Sequence, residues 1–138
     1  MKEDFKIIDH TADVGITAYG ADMNQAFTNA ARALFSLITE LNDVEEFLHR
    51  DIELTAPDAE SLLVEWLNEL IYLFDTENIV LKRFNITKLT NTQLKGRSYG
   101  EKIDSSKHRL KTGVKAATYH MLKVDKSNVC RVKVLFDI

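Results

Sequence analysis

The segment Asp9-His10-Thr11-Ala12-Asp13-Val14-Gly15 sets two acids and an imidazole between two apolar stretches. On a connection between strands such a set could bind a metal ion. It could equally close a turn, in which Asp and Thr bond their own backbone. At the far end of the chain Asp137 is followed by Ile138, whose α-carboxylate adds a second anion. Hard oxygen donors such as Asp13, Asp137 and a terminal carboxylate suit Ca²⁺, Mg²⁺ or Mn²⁺ and do not suggest structural zinc. Cys130, the single cysteine, excludes an internal disulfide and every multi-cysteine metal site. It falls on the apolar face of an expected strand, which argues against a nucleophile. No Walker-type phosphate loop, Gly-x-Gly-x-x-Gly, Gly-x-Ser-x-Gly or His-Glu-x-x-His is present. Self-contained catalytic machinery is therefore not legible.

The elements that must position these residues follow from periodicity. Phe5–Ile8 reads as a short strand, and Val14–Tyr19 alternates with the period of a half-buried strand. Asp22 with Gln25 forms a capping box, and apolar residues from Ala26 to Leu41 recur at helical spacing, predicting a helix over about residues 23–40. Asp51–Thr55 is a strand. Pro57 and Asp58 then open a second helix, with Leu62, Leu63, Trp66, Leu67, Leu70, Ile71 and Phe74 as its buried stripe. Glu60, Glu65, Asn68 and Glu69 form its solvated face. Ile79–Leu89 and Gln93–Tyr99 are strands around the turn Thr90-Asn91-Thr92, and Asp104–Lys111 is a polar loop.

Thr118–Asp125 and Val129–Asp137 close the chain as a hairpin. Cys130, Val132, Val134 and Phe136 share one face, and Leu122 and Val124 must share it with them. A three-residue loop, Lys126-Ser127-Asn128 with Asn128 left-handed, satisfies this alternation. Asp125 then faces Val129, and Ala117 faces Asp137. Lys115 becomes the diagonal neighbour of Asp137, roughly 7–8 Å away. Lys115, Asp137 and the Ile138 carboxylate thus meet at one sheet end, unless the terminus is frayed and solvated. The same register puts His120 beside Val134, as a buried and satisfied histidine. His108, with Lys107, Arg109 and Lys111, makes an exposed basic loop. His49 has no evident partner.

Together these elements predict one domain over residues 1–138, of α+β class: a two-layer sandwich with two helices packed on one face of a largely antiparallel sheet. The charge is uneven. Residues 1–78 hold 4 Lys/Arg against 17 Asp/Glu, and residues 79–138 hold 14 against 4, for a net of −3. Such a split either steers a polyanion or pairs internally, acidic helices over a basic sheet. No apolar run approaches the ~20 residues of a membrane span. The first five residues lack the apolar core of a secretory signal, so a cytoplasmic location is expected.

Four blocks carry a resemblance: Asp9-His10-Thr11-Ala12-Asp13, Trp66–Asp75, Lys115-Ala116-Ala117-Thr118-Tyr119-His120, and Val134-Leu135-Phe136-Asp137-Ile138. In this order and over nearly the whole chain they resemble the archease family. The resemblance implies a small α+β accessory protein, not itself an enzyme, that activates an RtcB-type RNA ligase. Activation would proceed by promoting the ligase's guanylylation and turnover in tRNA splicing and RNA repair. It implies a divalent cation held by Asp13, Asp137 and the carboxylate of Ile138, Ca²⁺ first, with Mg²⁺ or Mn²⁺ as alternatives. Lys115 matches a lysine linked to activity. His10 lies in the same signature without a ligand role. The ligase is the implied partner, RNA is met only indirectly, and no membrane is involved. Two other readings compete: a stand-alone RNA-binding or chaperone module using the basic C-terminal half, and a metal-dependent hydrolase with His10 or His120 as base.

Overall fold

A computed structural model of the chain describes residues 4–9, 13–127 and 129–138, apart from the side chain of Asp9. The expectations placed on His10, on the start of its motif and on Asn128 lie outside the described residues. The elements run β1 (Phe5–Asp9), β2 (Asp13–Gly20), α1 (Met23–Ile38), a 3-10 turn (Leu41–Asp43), β3 (Leu48–Thr55), α2 (Ala59–Glu77), β4 (Ile79–Leu89), β5 (Gln93–Lys102), β6 (Ala116–Asp125) and β7 (Cys130–Asp137). The α+β class, the two helices and the antiparallel pairing are as expected. The strands, drawn from sequence as one sheet, divide into two: β1-β2-β7-β6 and β3-β5-β4.

Both helices start on an aspartate. Asp22 Oδ1 accepts from Gln25 N–H at 2.8 Å, and Asp58 Oδ1 from Ser61 N–H at 2.7 Å, each satisfying an orphan donor of the first turn. The Gln25 side chain reaches back one residue further than a capping box requires, to Ala21 N–H. Helix α1 packs against β2 and β7 of the first sheet and β4 of the second; α2 packs against β6 and against all three strands of the second. A helix covered on both sides must be apolar almost all round, and Ala26, Phe27, Ala30, Ala31, Leu34 and Phe35 are all fully buried. Trp66 Nε1 donates to Phe27 O at 3.0 Å and ties the helices together. The Phe84 ring lies 6.0 Å from Phe35, stacked, and 6.0 Å from Trp66, edge-on, so the second sheet keys into that junction.

The closing strands depart from the expected register. Asp125 pairs with Arg131, not Val129, and Ala117 pairs with Phe136, not Asp137. Between Thr118 and Lys123 the ladder is broken, because β6 carries three more residues than β7 spends on the same stretch. Met121, in the break, has φ 55°. A bulge re-aims side chains, so alternation counted back from the loop cannot be carried through it. His120 lies in the bulge and is exposed, not buried beside Val134. Beyond the break, Val124 shares the face of Val132 as expected, but it is opposite Val132 where the expected register placed it opposite Cys130.

His108 is a second correction. It is 3% exposed. Its Nδ1 accepts from Asp104 N–H at 3.0 Å, which leaves the proton on Nε2, 3.0 Å from Glu101 Oε2. Glu101 also accepts from Glu45 N–H at 2.7 Å and pairs with Lys107 at 2.8 Å. These bonds pin residues 101–108 to the second sheet. The segment that follows crosses the end of α1, where Lys111 N–H meets Ile38 O at 2.8 Å and Thr39 Oγ1 donates to Arg109 O at 2.9 Å. It then delivers Lys115 to the first sheet.

Burial works to raise the Glu101 carboxyl, but Lys107, the Glu45 N–H and His108 together hold it below the usual 4.5. A depressed carboxylate contributes stability that is present above the unfolded value and lost as pH falls through the folded one. Urea midpoints of wild type and Glu101→Gln are therefore expected to differ most near neutrality and to converge as pH falls from the unfolded value through the folded one. A difference that stays constant over that range contradicts the ionic role.

Candidate functional site

The β2–β7 ladder runs from Gly20↔Cys130 to Asp13↔Asp137. Along it Val14, Ile16 and Ala18 of β2, and Val132, Val134 and Phe136 of β7, are buried toward the helices. Side chains alternate along a strand, so Asp13 and Asp137 share the outward face. Directly opposed residues place their Cβ atoms about 4.5–5.5 Å apart, and two like charges there repel. Asp13 is half-buried with Oδ1 sequestered from solvent, Asp137 is exposed, and Ile138 follows at 46% exposure. Sequence reasoning reached Asp13's place beside the C-terminus only through the family resemblance; the strand register supplies it directly.

Lys115 N–H donates to Asp137 O at 2.8 Å, and Ala116 is the cross-strand partner of Asp137. Lys115 thus adjoins Asp137 as expected, one step along from the expected pairing. Its side chain is exposed, and it forms no ion pair among the described residues. Gly15, between Asp13 and Thr17 on the outward face, leaves room for its partner Leu135. A Cβ there would lie 2.6 Å from Leu135 Cδ2. Leu135 is 1% exposed and walls the acidic end off from the rest of the face.

One residue was missed from sequence. Asn68 was assigned to the solvated face of the second helix, yet it is half-buried under the edge strand β6. Its Oδ1 accepts from Ala117 N–H at 2.8 Å, and its Nδ2 reaches Ala117 O at 3.5 Å. A carboxamide offers one donor and one acceptor, the pair that an unpartnered backbone residue needs. Asn68 therefore stands in for a fifth strand at the point where the chain turns from Lys115 into β6. Thr118 Oγ1 adds a bond to Leu135 O at 3.1 Å. The signal was available: a polar amide flanked by Trp66, Leu67, Leu70 and Ile71, all buried, sits at the margin of the apolar stripe.

The donor set here is carboxylate oxygen, the chemistry of a hard cation. Among the described residues no group of three or more His, Cys, Asp or Glu side chains is placed to hold a metal. A cation held by Asp13 and Asp137 would need the Ile138 carboxylate, backbone or water to complete its shell. Cys130 offers no alternative chemistry: it is buried, and burial pushes its thiol up. His49 lies beside Tyr99, ring centroids 6.1 Å apart, on the second sheet.

The sequence profile of the Archease protein family (MTH1598/TM1083) matches residues 5–138. A protein archease of Sulfurisphaera tokodaii is 41% identical over 123 residues, covering 88% of each chain. One of Pyrococcus abyssi is 43% identical over 122 residues, covering 86% of this chain and 85% of the other. The solution structure of Methanobacterium thermoautotrophicum protein 1598 superposes with a TM-score of 0.81 at 36% identity, over 98% of this chain and 99% of the other.

Asn68→Ala is expected to strip the nearly buried Ala117 backbone of its partners at a cost of about 1–3 kcal/mol. Urea unfolding measures the loss. Faster hydrogen exchange at the Ala117 and Lys115 amides locates it at the start of β6. Asn68→Asp, which keeps the acceptor for Ala117 N–H, is expected to fall between. Unchanged exchange at both amides contradicts the clamp.

Proposed function

The chain belongs to the archease family, and from that membership and the geometry around Asp137 we infer that it is an accessory protein for an RtcB-type RNA ligase. In this reading it joins no RNA. It promotes guanylylation of the ligase, and so its turnover, in tRNA splicing and RNA repair. The observation that carries the reading is the pairing of Asp13 with Asp137, with Lys115 bonded to the same aspartate. Asp13, Asp137 and the carboxylate of Ile138 would hold a divalent cation, Ca²⁺ first, with Mg²⁺ or Mn²⁺ accepted by the same oxygens. When bound, such an ion offers positive charge to phosphate oxygens of a nucleotide. Lys115, exposed beside it, adds a mobile ammonium that meets a phosphate as a point charge. Asn68 and the pinned crossing segment fix where that lysine starts.

A competing hydrolase reading needs a general base at the site. Of its two candidate bases, His10 lies outside the described residues, and His120 lies in the bulge of β6, three positions beyond the Ala117 held by Asn68. No helix of the described residues is long and apolar enough to cross a membrane. A cytoplasmic setting fits an RNA ligase partner.

A guanylylation time course with the ligase, GTP and Mn²⁺ tests this reading. Wild type is expected to accelerate the reaction, whereas Asp137→Asn and Lys115→Ala are not. Thermal melts separate binding from folding. In EDTA, Asp137→Asn is expected to be at least as stable as wild type, since it relieves repulsion of about 0.2–1 kcal/mol. Added Ca²⁺ raises the melting temperature of wild type only. An Asp137→Asn protein that activates as well as wild type overturns the site. So does a chain extended beyond Ile138 that binds Ca²⁺ unchanged, as far as the terminal carboxylate is concerned.

A further inference from the structure

The outward face that ends at Asp13 and Asp137 carries the opposite charge further along. In register across the first sheet, Lys6 of β1 faces Thr17 of β2, Thr17 faces Lys133 of β7, and Lys133 faces Lys123 of β6. All lie on the side turned from the helices. Strands in a sheet are spaced about 4.8 Å apart, so three lysines line up over roughly 14 Å, two of them direct cross-strand neighbours. Like charges so placed cost stability. None of the three forms an ion pair among the described residues.

The second sheet shows the contrast. Its arginines are taken up by acids of the N-terminal half: Arg50 by Glu77 at 2.6 Å, Arg83 by Glu46 at 2.8 Å and Arg97 by Asp51 at 2.6 Å. It even holds an opposed lysine pair, Lys88 and Lys95, but there Glu53 faces Lys95 from the other side. Among the described residues the outward acid near the row is Asp125, which is bonded by Ser127, with Oγ at 2.7 Å, and paired with Arg131 at 3.6 Å, and whose charge also acts on Lys123 without an ion pair. The internal pairing expected of the uneven charge thus engages the arginines of the second sheet and leaves this row of lysines without an ion pair.

We propose that this face binds the phosphodiester backbone of single-stranded RNA without regard to sequence, through Lys6, Lys123 and Lys133. A row of flexible point charges suits a chain of evenly repeated phosphates. An acidic protein partner would want buried aromatic or arginine anchors at the centre of its contact, and the row's centre is the small, buried Thr17. Tyr19, half-buried one row further along and opposite Arg131, offers a ring on which a base stacks. The binding needs neither cation nor ligase, so it stands apart from the reading of the acidic end. From Lys133 to Asp137 is four residues of strand, about 13 Å, which would bring a bound strand's end within reach of that site.

The test is fluorescence anisotropy of a labelled oligouridylate titrated with the full chain, in EDTA and without ligase, over a series of salt concentrations. Three phosphate contacts predict a log–log salt slope of about −2 for a single strand. Lys123→Thr with Lys133→Thr, which keeps strand propensity, is expected to reduce the slope to about −0.7 and weaken binding at low salt about tenfold or more. Arg at both positions is expected to restore it. Lys88→Thr with Lys95→Thr removes the same net charge from the second sheet and is expected to change nothing. Equal weakening by both pairs overturns the proposal, since net charge alone would then account for binding. It is also overturned if polyglutamate competes as well as RNA at equal charge, or if no salt-dependent binding appears.

Discussion

The antiparallel pairing of β2 with β7 is the constraint on which the rest of this molecule depends. It joins the second strand of the chain to the last, the costliest kind of contact to form because so much chain lies between. Its register is not free to drift. Ile16, Ala18, Val132, Val134 and Phe136 are all fully buried, and a slip of one residue would turn that whole set to solvent. The same register that fills the core therefore fixes Asp13 opposite Asp137. The repulsion between the two acids is small beside the apolar burial that holds them in place. Core packing in effect imposes the juxtaposition, and the end of the sheet inherits a pair of anions.

The surrounding structure works on that same end. The chain leaves the second sheet through the buried Glu101–His108 contact, crosses the end of α1, and arrives at Asp137 with the Lys115 amide. Asn68 then holds Ala117 from the helix side, so the first residues of an edge strand are bonded on both sides. Beyond them the β6 bulge breaks the ladder and Met121 takes a left-handed conformation. The ordered start of β6 and its irregular middle are thus adjacent, and regular pairing resumes only at Lys123. Charge is sorted in the same way. Ion pairs engage the arginines of the second sheet, and the first keeps its anions at one end and its lysines in the middle.

The helices were legible in the sequence, because capping aspartates and an apolar stripe are local signals. The strands were legible too, and so was the nearness of Lys115 to Asp137. Their division into two sheets was not. The outward faces of both sheets are polar in the same alternating manner, and nothing local says which strands share a ladder. The register of β6 on β7 failed twice: at the hairpin loop, where Asp125 pairs two residues further along with Arg131 and the apolar faces are unchanged by the shift, and at the bulge around Met121, which adds residues that no apolar pattern marks. Asn68 and His108 were misplaced for one reason: polar side chains default to solvent in any pattern reading, and only tertiary partners, Ala117 for one and Glu101 for the other, make burial affordable.

The claim at the centre is that carboxylates brought together by the first sheet hold a hard cation. A crystal of the protein soaked in Ca²⁺ or Mn²⁺, with the ion located by its anomalous signal, measures this directly. The account predicts a peak about 2.0–2.6 Å from oxygens of both Asp13 and Asp137. A peak only at some other group of acids, or a soaked crystal in which the two carboxylates turn away from each other with no ion between them, would contradict it.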